Sequence, residues 1–137
     1  KLYEFGEIIS DTNLLNIERK NGQYCYWVVQ ENRGRTLRQV FTKCDLKEVY
    51  RSIWNIINEM RLHGIIHMDL HPDNILVDGD NNVSVIDFGW CLHRSFEFSE
   101  EELKNYEMLL ELNFDKKHFG ESLVTMGLEK TVPPLFK

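Results

Sequence analysis

The chain is poor in the features that mark several large protein classes, and each shortage excludes something. Its apolar stretches, such as Trp27–Val29 and Ile65–Ile66, fall far short of the roughly 20 residues a membrane span needs. No secretory signal pattern opens it. Lys and Arg number 16 against 22 Asp and Glu, a formal charge of −6, so no basic surface for nucleic acid is expected. An anionic ligand stays admissible, because local groups and metal ions set the field inside a cleft. Only three cysteines occur, Cys25, Cys44 and Cys91, with no CxxC pair. They read as reduced thiols in a cytoplasmic protein, without a zinc site or redox chemistry. Neither an internal repeat nor a low-complexity segment is present, and 42% hydrophobic content with eight Phe, five Tyr and three Trp is enough for a real core.

What is there begins with strands. "KLYEFGEII" reads as one, and "LLNIERKNGQYCYWVVQE" as two around an Asn21-Gly22 turn. "NRGRTL" is a connector centred on Gly34. Asp45 then caps a helix, with Glu48 three residues on as in a capping box. Leu46, Val49, Tyr50, Ile53, Ile57 and Met60 form its apolar face, widened by Trp54 and Ile56, and Gly64 ends it. "NILVD" and "VSVIDF" are a hairpin, with Gly79 and Asn81-Asn82 in the turn. Ser99 caps a later acidic helix whose apolar positions are Leu103, Tyr106, Leu109 and Leu110. The order is that of an α+β fold.

The polar residues between those apolar runs point to phosphoryl transfer. Such a site needs a carboxylate to orient the attacking hydroxyl and accept its proton, and hard oxygen ligands to hold Mg²⁺ against a polyphosphate. "HMDLHPDN" offers Asp69 as the base and Asn74 five residues later as a metal ligand; Asp87, 18 positions after Asp69, is the second metal ligand. A hairpin between Asn74 and Asp87 brings the ends of that segment together.

These residues carry a resemblance. His67, Asp69, Leu70 and Asn74, followed by Asp87, Phe88 and Gly89, are similar to the catalytic-loop and metal-loop pair of protein-kinase-like enzymes. The resemblance implies a protein-kinase-like fold, ATP and Mg²⁺ as cofactors, and catalytic roles for Asp69, Asn74 and Asp87. His67 would support the loop, Phe88 would pack to set Asp87, and Gly89 would complete the motif. Met68 and His71 stand where ordinary protein kinases carry Arg and Lys, and no A-P-E follows. The "DLHPDN" form is closer to aminoglycoside and choline phosphotransferases and to bacterial sugar or lipopolysaccharide kinases. A hydroxyl of a small molecule or glycan is therefore the expected acceptor.

The resemblance covers roughly residues 1–95. Upstream, "YWVVQENRGRTLRQV" is similar to the strand and hinge between kinase lobes, so Val29 would be the gatekeeper, and the backbones of Gln30 and Asn32 would meet adenine, with Leu76 and Ile86 as apolar contacts. The implied domains are residues 1–32, remnant N-lobe strands and hinge, and 33–137, the C-lobe. No G-x-G-x-x-G and no V-A-I-K-like lysine occur; Lys1 and Lys20 follow no such run. The expected partners thus include the missing N-lobe or a partner domain. Two other readings share the same residues: an atypical Ser/Thr protein kinase, and a non-catalytic kinase-like binding or regulatory module.

Elsewhere the residues have plain readings. His71 is either a surface residue or a substrate or phosphate contact, and Trp90 either core packing or part of a substrate wall. Asp73, Asp78 and Asp80 are solvated or turn-forming carboxylates. His63, His93 and His118 lack partners at metal spacing, and the acidic helix presents a solvated face over a buried stripe.

Overall fold

A computed structural model describes residues 32–136, together with the backbone of two strands, β1 (Leu2–Ile8) and β2 (Cys25–Gln30). The strand expected before residue 20, the Asn21-Gly22 turn, Lys1 and Lys20 lie outside the described residues. The chain divides into two compact units, Lys1–Asn32 and Arg33–Lys137. In the first, β1 and β2 pair antiparallel, with Ile8 opposite Cys25 and Leu2 opposite Gln30, and a register shift between Leu2 and Glu4.

The second unit opens with β3 (Arg35–Thr36) and a short helix, α1 (Leu37–Val40). Thr36 and Gln39 form a reciprocal capping box at its start. The long helix α2 (Leu46–Leu62) follows. Asp45 caps it, accepting from the Glu48 N–H at 3.3 Å. The box expected with Glu48 forms only in that half, because the Asp45 N–H donates instead to Asn81 Oδ1 at 3.0 Å. A distant turn thus satisfies the donor that a local glutamate was expected to take.

Helix α2 buries Val49, Tyr50, Ile53, Ile57 and Met60 on one face. They meet Leu37, Leu70, Ile75, Val77, Phe119, Leu123 and Phe136 in one core, with Trp54 and Ile56 partly buried at its edge. Phe119 is fully enclosed, with its ring 5.0 Å from Phe136 and 6.4 Å from Tyr50. Phe119→Ala is expected to cost about 3–5 kcal/mol, read as a lowered urea midpoint, since the surrounding rings cannot collapse into the space.

The end of α2 is held from three sides. Gly64 follows it at φ +72°, and a Cβ there would fall 2.3 Å from Arg94 Nε. Arg94 Nη2 donates to the Leu62 carbonyl, and the Tyr106 hydroxyl donates to the Gly64 carbonyl. This anchors β4 (Ile65–Ile66), which pairs antiparallel with β7 (Leu92–His93). Neither short strand has enough alternation to be visible in the sequence.

Strands β5 (Ile75–Val77) and β6 (Val83–Val85) form the expected hairpin, and β5 also pairs with β3. Asp78 closes the turn, accepting from the N–H groups of Asp80 and Asn82 and from Asn82 Nδ2. Those bonds hold its carboxyl below the ordinary range.

Ser99 and Glu102 form the capping box of α3 (Glu100–Glu111). Of its expected apolar stripe Tyr106 is buried, Leu109 and Leu110 are half-buried, and Leu103 is exposed. A left-handed Asn113 (φ +53°) then breaks the chain and starts α4 (Phe114–Thr125) in a new direction. The described thiols are unpaired, and burial pushes that of Cys44 up. Among the described residues, no helix is long and apolar enough to cross a membrane.

Candidate active site

The residues from His67 to Asn74 form a loop between β4 and the hairpin, held by buried groups on either side. His67 is fully buried. Its Nδ1 accepts from the Asp69 N–H at 3.2 Å, so the neutral ring carries its proton on Nε2. That N–H donates to the Ile86 carbonyl at 2.8 Å. One imidazole therefore ties the backbone of Asp69 to the residue preceding Asp87. A second tie runs from the Ile86 N–H to the Asn74 carbonyl at 3.0 Å.

Asp115 supplies the third restraint, and it was not identified from the sequence. Only 4% exposed at the start of α4, it accepts the His67 N–H on Oδ2 at 2.8 Å and the Met68 N–H on Oδ1 at 3.1 Å. Burial pushes its carboxyl above the ordinary aspartate value, outweighing the two backbone bonds that pull it down. Met68 sits at φ +76°, a conformation that costs a side-chain-bearing residue about 1–3 kcal/mol. The Asp115 carboxylate thus holds the strained backbone immediately before Asp69. Locally, Asp115 is one more acid in a first helical turn, where acids are common for dipole reasons. Only its burial against a loop 48 residues away marks it.

Asn74 ends a 3₁₀ turn (Pro72–Asn74) and is 6% exposed. Its Nδ2 donates to the Asp69 carbonyl at 2.8 Å and lies 3.4 Å from Asp69 Oδ2. Because a carbonyl can only accept, this fixes the amide orientation and leaves Oδ1 without a partner among the described residues. A buried, unpaired amide oxygen beside the Asp69 loop fits a hard divalent cation. Asp87, exposed and left-handed at φ +60°, follows Ile86 directly, and a Cβ on Gly89 would come 3.4 Å from its Oδ1. Among the described residues no three His, Cys, Asp or Glu cluster as a metal site. Asn74 brings an amide oxygen and Asp87 a carboxylate, both hard oxygen donors of the kind Mg²⁺ accepts alongside water and phosphate.

Phe88 lies with its ring centroid 4.9 Å from that of His67 and is 43% exposed. Trp90 is 73% exposed, which overturns its core-packing reading, and it does not line the cavity at Asp69. That cavity, about 670 Å³, is bounded by Asp69, His71 and Asp73 on one side and by His118, Glu121, Ser122 and Thr125 on α4. Asp73 is paired to Arg38 Nε at 3.0 Å, and both line the cavity. Leu76 is the half-buried middle residue of β5, and Ile86 is half-buried beyond β6. Val29 and Gln30 lie in β2, where the backbone alone is described, and Asn32 closes the first unit.

A family profile for the protein kinase domain matches residues 12–107. Among curated proteins, the serine/threonine-protein kinase STE20 of Eremothecium gossypii is 34% identical over 89 residues, 61% of this chain and 9% of that protein. Sperm motility kinase 2A of Mus musculus is 31% identical, covering 60% of this chain and 17% of its own length. The serine/threonine-protein kinase pak-1 of Caenorhabditis elegans is 34% identical over 52% of this chain and 14% of its own length. This chain therefore spans a small part of each relative. Among solved structures, monomeric WbdD aligns over 72% of this chain and 24% of that one, with a TM-score of 0.49 at 20% identity. With the profile covering well over half of its residues, including both the Asp69 loop and Asp87, the chain belongs to the protein kinase domain family.

Proposed function

We propose that this domain is an ATP- and Mg²⁺-dependent phosphotransferase, located in the cytoplasm, that moves the γ-phosphate to a hydroxyl of a small molecule or glycan. The observation that carries the acceptor class is the cavity of about 670 Å³ beside Asp69, walled on one side by α4. Its size suits a small ligand. A peptide would need an extended platform, and only nine residues separate Gly89 from Ser99, two of them pinned in β7.

In this reading an acceptor hydroxyl enters the cavity and donates to Asp69, which orients it and takes its proton. Asn74 Oδ1 and the Asp87 carboxylate are the groups that would hold Mg²⁺. The ion supplies charge neutralisation for the transferring phosphoryl group. His67, Asp115 and the Asn74 Nδ2 keep the base in place before substrate arrives, so the restraint is not made during reaction. Leu76 and Ile86 are proposed as apolar adenine contacts, and Val29, Gln30 and Asn32 as hinge contacts on sequence grounds.

Calorimetric titration with ATP and Mg²⁺ tests the reading. The wild-type chain is expected to bind, and Asp87→Asn to weaken binding by on the order of tenfold or more. Transfer from labelled ATP to a panel of sugars and amino alcohols, with a generic protein substrate alongside, then separates acceptor classes. Labelling of the protein alone would overturn the small-molecule acceptor, and absence of MgATP binding by the folded chain would overturn the enzyme.

A further inference from the structure

We propose that His71 is a positioning residue for Asp69, with its ring held as the Nε2–H tautomer and that nitrogen beside the catalytic carboxylate. This rests on the phosphotransferase reading above and assigns His71 a role apart from substrate contact.

The turn itself favours one tautomer. His71 caps the Pro72–Asn74 turn, and its Nδ1 accepts from the Asp73 N–H at 3.2 Å. Pro72 has no N–H, so Asp73 carries the first donor the turn must satisfy. A backbone N–H can only donate, so Nδ1 must present a lone pair and the neutral ring's proton lies on Nε2. That nitrogen stands 3.5 Å from Asp69 Oδ1.

The other carboxylate oxygen faces a donor as well, Asn74 Nδ2 at 3.4 Å from Oδ2. In a 3₁₀ turn, side chains three residues apart eclipse. His71 and Asn74 are so spaced, and their Nε2 and Nδ2 atoms lie 3.3 Å apart: in the Nδ1–H tautomer Nε2 would accept from the Asn74 amide, whereas with the Asp73 N–H on Nδ1 both nitrogens are donors beside the same carboxylate. Two N–H groups from one turn therefore flank Asp69, one per oxygen. Each oxygen keeps a lone pair for an acceptor hydroxyl, while rotation of the carboxylate about its χ2 is opposed. Contacts of this length tighten when substrate completes the site.

His71→Asn separates the two jobs of the ring. An asparagine Oδ1 can accept the Asp73 N–H and keep the cap, but nothing on it reaches Asp69. The expected result is a Tm within about 2 °C of wild type, an unchanged KM for MgATP, and a kcat for phosphate release or acceptor phosphorylation lower by about 10- to 100-fold. His71→Ala should lose the cap as well and fall in Tm. Should the variants fail to fold, imidazole ¹⁵N spectra of the wild-type chain decide. The His71 ring is expected as the Nε2–H tautomer, with its Nε2 signal shifted by Asp69→Asn.

A His71→Asn enzyme with wild-type kcat would overturn the proposal, as would an Nδ1–H tautomer or an Nε2 signal indifferent to Asp69. If the spectra show the contact but the wild-type chain neither binds MgATP nor transfers phosphate, the phosphotransferase reading falls and the positioning role falls with it. The two failures are thereby told apart.

Discussion

Asp69→Asn is expected to lower phosphoryl transfer by about 10²–10⁴-fold with little change in MgATP affinity. The substitution keeps the size of the side chain but removes its charge and its ability to take a proton, and it sets an NH₂ where one oxygen faced His71 or Asn74. Asp69 is partly exposed to the cavity, and no buried charge depends on it, so the stability change should be about 0.5 kcal/mol or less. The loss should therefore appear in kcat, not in Tm or in the nucleotide dissociation constant. Steady-state kinetics with the acceptor found by the panel, set beside calorimetry of the same variant, makes the separation. An Asp69→Asn enzyme that keeps its rate would move the base elsewhere in the cavity. An enzyme that loses nucleotide binding as well would place Asp69 among the metal ligands.

Asp115→Ala should have the other large effect, and through a different route. It removes a side chain that lines no part of the cavity, yet it strips the partners from the N–H groups of His67 and Met68. A buried donor left unpaired costs about 1–3 kcal/mol, so the loss of stability is expected to reach about 2 kcal/mol or more. The left-handed Met68 backbone loses its anchor at the same time, and the Asp69 carboxylate moves with it. Transfer should fall even under conditions where the variant is fully folded, and amide exchange at His67 and Met68 should accelerate. Unchanged exchange at those two amides would show that Asp115 is not what holds the loop.

The same carboxyl has a pH signature. Its folded value is raised by burial, so between the ordinary aspartate value of about 3.9 and that higher folded value the native state binds more protons than the unfolded one. Its contribution to stability must then fall as pH rises through that window, and level off above it. Asp78 and Glu102, whose values are lowered at the surface, titrate alike in wild type and variant and cancel. The stability gap between wild type and Asp115→Ala should accordingly be widest on the acid side and narrow toward neutrality. Urea midpoints across pH measure it, and a gap that widens with pH would reverse the assignment.

The local elements of this protein were legible because their causes are local. The Asp45 cap, the apolar face of α2, Gly64 at its end, the β5–β6 hairpin with Asp78 in its turn, and the Ser99–Glu102 box all follow from spacing and side-chain chemistry over a few residues. So does the proposal of Asp69, Asn74 and Asp87, since the chemistry of phosphoryl transfer names the residue types and their intervals are short. Where partners are distant, the sequence was silent. Asn81, not Glu48, took the Asp45 N–H; Trp90 stands in solvent; and the two-residue strands β4 and β7 are too short for any periodicity to announce them.

Asp115 shows the division most clearly. In sequence it is an ordinary acid at the head of a helix, beginning just after a left-handed Asn113 that the apolar pattern does not mark. Its role exists only because α4 packs where two backbone N–H groups of a remote loop need a buried acceptor. The sequence by itself named the side chains proposed to carry the chemistry. The tertiary structure alone decided how they are held, because a buried polar group must find its partner wherever in the chain that partner lies.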